Sequence, residues 1–169
     1  MDSVNKWLTL AANLGVIAGI IFLAIEINQQ NLSMEQSNRI ATSTAEADIR
    51  DGSSEISQLI LEDPQVAELL LKLTNNEELT AIERIRANAI SLIMLQGWIT
   101  TERYFDNGLI DEAVFSNSLS AIERIIIGLP GIRPFFAAQF EFRAESVNSP
   151  LILAKINEVL EEQRLNIEE

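Results

Sequence analysis

Carboxylates are the only reactive side chains this sequence supplies in number, 25 of them against 12 Lys and Arg. Glu83 and Glu102 lie in a stretch that also carries Arg84, Arg86 and Arg103. Paired carboxylates can divide acid and base roles in glycoside hydrolysis, and Glu with Glu-x-x-His pairs can hold two metal ions inside a helical bundle. The chain has no histidine, so the second arrangement lacks its nitrogen ligands, and general-base chemistry lacks its commonest carrier. Nothing points to a glycosidase pair, and the expectation is that these Glu and Arg residues form ion pairs between helices. Cysteine is absent as well, which removes disulfides, thiolate nucleophiles and thiolate metal sites together. Serines are many, but there is no G-x-S-x-G turn, and Lys6, Lys72 and Lys155 sit in no pattern that would pair one with a serine. No glycine-rich phosphate loop occurs. The sequence therefore offers no catalytic residue, no cofactor site and no metal site, and predicts that the protein is not an enzyme.

One cluster has the chemistry of a binding groove. Phe135, Phe136, Phe140 and Phe142 fall close together, with Arg133, Gln139 and Arg143 among them. Aromatics at this density more often build core. The alternative is a sensor or binding module that holds a small apolar ligand or peptide between this cluster and the central helix, with the polar residues fixing its orientation.

Those residues have to be positioned by helices. Hydrophobic residues make up 47% of the 169, enough for a packed core, and only 7 Gly and 4 Pro interrupt them. The net charge is −13. No Lys/Arg cluster offsets it, so a nucleic-acid partner is excluded on electrostatic grounds, and adsorption to anionic lipid is disfavoured.

From Trp7 to Ile25 the chain carries no charge, with Thr9 and Asn13 as its polar interruptions. As a helix this run reaches about 28 Å, close to the hydrocarbon thickness of a bilayer. Trp7 stands at one end, where an indole favours the headgroup region. A cleaved signal peptide would need a basic leading segment and a small-x-small site, and the run offers only Lys6 and ends Ala24-Ile25-Glu26-Ile27. A buried core helix is the other competitor. The expectation is an uncleaved anchor at 1–27, crossing a membrane once, followed by a helical soluble domain at 28–169. Lys6 and Arg39 flank the run evenly, and the scarcity of basic residues as far as Arg84 favours the body on the non-cytoplasmic side.

The anchor has two faces. Ala11, Gly15 and Gly19 recur every four residues and form a small-residue stripe that lets another helix approach. Thr9 and Asn13 lie on nearly the opposite face, because two residues along a helix is about 200°. An amide within an apolar run seeks a partner. A helix of this kind can contact two neighbours, in a ring, an array, a larger complex or a pore.

Beyond Glu26 the pattern is helical throughout. Ala41, Ala45, Ile49, Ile56 and Ile60 keep helical spacing, and Asp51-Gly52-Ser53-Ser54 marks a kink or an end. Asp63-Pro64 opens a helix, Thr80 with Glu83 forms a capping box for a long one that Gly108 stops, and Asp111 caps the next. Gly128-Leu129-Pro130-Gly131 breaks the chain, Pro134 opens another helix, and Ser149-Pro150 opens the last. The uncharged middle of the long helix, Ala87 to Thr101, is short for a second span and reads as a buried centre. The predicted fold is all-α: an N-terminal transmembrane helix continuing into an antiparallel helical bundle around Leu92 to Ile99.

Laid out this way, the chain resembles a group of short bacterial proteins of uncharacterised role with one N-terminal membrane helix and an all-helical body. The resemblance rests on Trp7, Asn13, Gly15 and Gly19, then Glu26-Ile27-Asn28-Gln29, Leu79-Thr80 with Glu83-Arg84, Gly108-Leu109-Ile110-Asp111-Glu112, and Pro130-Gly131 with Arg133 and Phe135-Phe136. Similar sequences often carry tryptophan at the Phe135-Phe136 place. It implies a location, a single pass through a bacterial inner membrane, and a fold, and no site residues. The function expected is a membrane-anchored, non-enzymatic subunit whose partners are the membrane and itself or another membrane protein.

Overall fold

The computed structural model describes residues 2–143 and 149–168, with the side chains of all of these except Asp2, Ser53, Glu55, 141–143 and 166–168. Among these residues, six α-helices and one 3-10 turn follow in order: α1 Asp2–Glu62, α2 Pro64–Thr74, α3 Ala81–Asp106, α4 Glu112–Gly128, the 3-10 turn Pro130–Ile132, α5 Arg133–Arg143 and α6 Pro150–Glu168. The protein is all-α, and among the described residues there is no strand. It divides into two compact units, Met1–Ala41 and Thr42–Glu169.

The first unit belongs to α1 and has no core of its own. Its apolar side chains are exposed all round, Trp7 at 72% and Phe22 at 71% among them. The helix contains a window of mean hydropathy 2.4, long and apolar enough to cross a membrane, and none of that window is buried.

The second unit takes in the end of α1 and all the remaining helices. Its helix starts follow from local chemistry. Asp63 Oδ1 accepts from Gln65 N at 2.9 Å, with Pro64 in the first turn, where its missing N–H costs nothing. Thr80 Oγ1 accepts from Glu83 N at 3.3 Å, and Glu83 Oε2 accepts from Thr80 N at 2.7 Å. Asp111 Oδ1 accepts from Val114 N at 2.8 Å. Gly108 ends α3 in the left-handed region at φ +68°, which only glycine enters freely. The helix α1 runs through Gly52 to Glu62 and does not end at the glycine. An interior glycine costs about 1 kcal/mol, too little to break a helix whose neighbouring turns dock Ala45, Ile49 and Ile56 on the core. The chain also recoils at once after Gly128, and Pro130 starts a 3-10 turn. Gly131 permits this, because a Cβ there would stand 2.9 Å from the Leu73 carbonyl oxygen.

The core joins one face of α3 (Ala87, Ile90, Met94, Leu95, Trp98, Ile99) to Leu69, Leu73, Phe115, Ile122, Ile126, Phe136, Ile152, Ile156 and Val159. The rings of Trp98 and Phe136 pack at 5.4 Å, and those of Phe105 and Phe115 stack at 4.5 Å. The expectation that α3 is surrounded needs correction. Its opposite face is open, with Ile82 at 67%, Ile85 at 71% and Ile93 at 39% exposure. Composition misleads here, because an uncharged stretch looks the same whether one face is covered or two.

Candidate functional site

A concavity of about 970 Å³ lies within the second unit, between the end of α1, α3 and α4. Asp48, Ile49, Gly52 and Ile56 form one wall, spaced three and four apart so that they share a helix face. The floor is α3 from Leu92 to Thr101, and Val114, Asn117, Ser118, Ala121 and Ile125 of α4 form the other wall. The lining is mainly apolar, and among the described residues neither Lys nor Arg contributes to it. Two helix-interior glycines, Gly52 and Gly97, open onto it. A Cβ added at either would meet nothing within 4 Å. The fold does not require them, and each makes its helix weaker than alanine would.

Two of the polar side chains lining this groove, Thr101 and Asp48, are occupied. Thr101 Oγ1 donates to Gly97 O at 3.0 Å. The Tyr104 hydroxyl donates to Asp48 Oδ2, and this bond with the carboxylate raises the phenol above its ordinary range. The mainly apolar lining suits the groove to apolar surface. Among the described residues no group of three or more acidic side chains gathers in a way that would hold a metal ion.

The two carboxylates singled out in the sequence have separate tasks. Glu83 Oε1 accepts from Lys72 Nζ at 2.6 Å, tying α2 to α3. This contact, with the Thr80 cap, holds the Glu83 carboxyl down at about 2. The same hydrogen bond raises Lys72. Glu102 pairs with no arginine among the described residues. It is 1% exposed, and its oxygens accept from Leu151 N at 2.8 Å and Ile152 N at 3.0 Å. It caps α6 from another helix, supplying acceptors and negative charge where the amides are otherwise unpaired. Ser149, which stands at the cap position, has no hydrogen-bond partner for its buried Oγ among the described residues. Nothing in the sequence signals this arrangement, since a cap 49 residues away has no local pattern.

The aromatic cluster is divided. Phe136 is 1% exposed within the core, while Phe135 and Phe140 are half-buried and pack against it. Arg133 lies over the end of α4, donating from Nε to Ile126 O at 2.9 Å and from a terminal nitrogen to Ile127 O at 3.4 Å. Burial lowers its pKa. Gln139 Nε2 donates to Asn88 Oδ1 at 3.0 Å, joining α5 to α3. None of these residues lines the 970 Å³ groove. The side chains of Phe142 and Arg143 lie outside the described residues. The groove residues themselves escaped the sequence reading. Its one available signal was the placement of Gly52 and Gly97 inside helices.

In the first unit, Ala11, Gly15 and Gly19 share a face, and a Cβ at Gly15 or Gly19 would meet nothing within 4 Å. Thr9 Oγ1 donates to Asn5 O at 2.9 Å, so this hydroxyl is satisfied within its own helix. Asn13, by contrast, bonds no side chain among the described residues. No protein-family model, no curated protein and no solved structure matches the chain.

Proposed function

We propose that the protein is a membrane-anchored, non-enzymatic subunit, held by a single span near its N-terminus, that assembles with copies of itself or with a larger membrane complex. One observation carries the reading: the apolar stretch of α1 has none of its surface buried, and exposed apolar surface on this scale needs lipid or a partner. The Ala11, Gly15 and Gly19 stripe supplies a face for close helix approach within the bilayer. The membrane is a bacterial inner membrane, the body stands on its non-cytoplasmic side, and its helices form an antiparallel bundle. Leucines replacing Gly15 and Gly19 enter open space in the single chain, so this double substitution tests association and leaves folding intact. The measurement is native mass and subunit content after extraction in mild detergent. The native protein is expected as a multiple of 18.8 kDa or together with another polypeptide, and the double variant as a smaller species. A native protein that is monomeric and alone overturns the proposal.

The groove favours a second reading, a module that binds a neutral apolar ligand, since its volume falls within the range of small-molecule sites. Trp98 lines it. In a Trp7→Phe background, an apolar dye that quenches Trp98 emission saturably would support this reading, and the absence of saturable quenching would remove it.

A further inference from the structure

One face of α3 is uncovered over its length, and its two halves have opposite shapes. In the first half Ile82 and Ile85 stand exposed at 67% and 71%. In the second half Gln96, Gly97 and Thr100 form the floor of the groove between α1 and α4. At 100° per residue, Ile82, Ile85, Ala89, Ile93, Gln96 and Thr100 fall along one stripe. The ridge and the hollow therefore belong to the same helix face, end to end.

We propose that this face is a twofold interface between two copies of the chain, with α3 crossing its mate in antiparallel fashion. A twofold contact must be self-complementary. An axis passing beside Ala89 and Ile93 seats Ile82 and Ile85 of each copy in the hollow over Gln96, Gly97 and Thr100 of the other. Gly52 and Gly97, which no packing within the chain explains, leave the hollow deep enough to receive them. The charges have the same symmetry. Arg103 and Glu78 are almost equally many residues from the axis on opposite sides, so the antiparallel pair brings each arginine toward the end that carries Glu78 of the partner subunit. Asp48 is the one charged residue among those lining the hollow. Parallel pairing would instead set Arg103 against Arg103 in a chain already at −13. The proposal deepens the self-assembly reading and rests on it, adding a contact between bodies that is separate from the anchor stripe.

The chain's lack of cysteine allows a direct test in native membranes. Ile85→Cys and Gln96→Cys both replace exposed side chains. The two positions are about 16 Å apart along one helix, too far for a disulfide within a copy. Under mild oxidation the double variant should give a dimer at a yield at least about tenfold above either single variant, whose own cysteines an antiparallel pair holds about 16 Å apart. An Ala11→Cys variant monitors the anchor separately. Cross-linking of the Ala11→Cys variant with none from the double variant in α3 would overturn the body interface and leave the anchored-subunit reading standing. Absence of both would count against self-assembly altogether. A strong dimer from the Ile85→Cys variant alone would overturn the antiparallel arrangement, and a mixed disulfide with a different polypeptide would assign the face to that partner instead.

Discussion

Replacing Glu102 tests whether α6 is held by a carboxylate borrowed from α3. The side chain is 1% exposed, and both of its oxygens accept from backbone amides of the first turn of α6, at 2.8 and 3.0 Å. Hydrogen bonds to a charged acceptor contribute about 1.5–3 kcal/mol each, and an anion at a partly buried helix start adds up to about 2 kcal/mol. These contributions overlap, because the same charge produces both, so their sum is an upper limit. Glu102→Ala removes both acceptors and leaves their donors without a partner. The expected loss is about 2–5 kcal/mol, from two buried amide donors left without an acceptor. Glu102→Gln keeps the shape and one acceptor but turns an NH₂ toward the second amide, and should cost about 2 kcal/mol. Glu102→Asp is one methylene too short to reach both donors and should fall near alanine.

The assay is urea unfolding of the full chain in detergent, together with amide hydrogen exchange at Leu151 and Ile152. Exchange at these two amides should accelerate in all three variants, because the local opening of α6 becomes easier. If Glu102→Ala costs less than about 1 kcal/mol, the cap does not hold α6. If Glu102→Gln costs nothing, the charge contributes nothing, and shape with one acceptor is enough to hold α6. A loss spread evenly over α2, α3 and α6 would instead make Glu102 a general core residue.

Gly131→Ala should destabilise the second unit by about 1–3 kcal/mol in the same unfolding assay, because the new methyl would press on the Leu73 carbonyl 2.9 Å away; an unchanged midpoint would mean that the turn shifts aside freely. Gly97→Ala should do the reverse, raising stability by about 1 kcal/mol, since its methyl meets nothing within 4 Å and the helix gains propensity; measured on the isolated monomeric species, a loss would show that the glycine serves the fold after all. The Lys72 contact with Glu83 sets an acid limit. The folded pKa of Glu83 is depressed to about 2, so its contribution is fully present above the ordinary carboxylate value of 4.5 and is lost as pH falls from there toward 2. Titrating unfolding midpoints through that window should show a decline that Lys72→Met reduces; identical declines in the two proteins would refute the assignment.

Much of the body was legible because its elements are set by short-range chemistry. Asp63-Pro64, the Thr80 and Glu83 box, Gly108 and Asp111 each act within four residues, so their roles survive without knowledge of the fold. Of the kink or end expected at Asp51-Gly52-Ser53-Ser54, the end does not occur, because α1 runs on to Glu62 and packing of Ala45, Ile49 and Ile56 on the core outweighs the local propensity of glycine. Glu102 and Arg133 were legible as charged residues but not as caps, since the helix ends they serve are supplied by other parts of the chain. Phe135, Phe136 and Phe140 read more readily as core than as groove, but the sequence could not assign them one by one, because an aromatic side chain has the same hydrophobicity in both. Their places differ only in what the surrounding helices cover.

The open face of α3 and the anchor raise the same physical question at two points in the chain. Each is a helix face whose apolar residues nothing within its own unit covers, and each contains glycines that its own helix would do better without. Gly15 and Gly19 lie in α1, where a Cβ would be unopposed, and Gly97 lies in α3 in the same condition. A glycine that the fold needs has a neighbour pressed against it, as Gly131 has Leu73, or a backbone angle only glycine accepts, as at Gly108. The remaining interior glycines have neither, and they weaken their helices by about 1 kcal/mol each relative to alanine. Surface glycines of that kind make sense where something outside the chain comes close to the backbone. The distinction separates the two classes by experiment: alanine at Gly131 should harm the monomer, whereas alanine or leucine at Gly15, Gly19 or Gly97 should leave the monomer sound or improve it and change only what the protein binds.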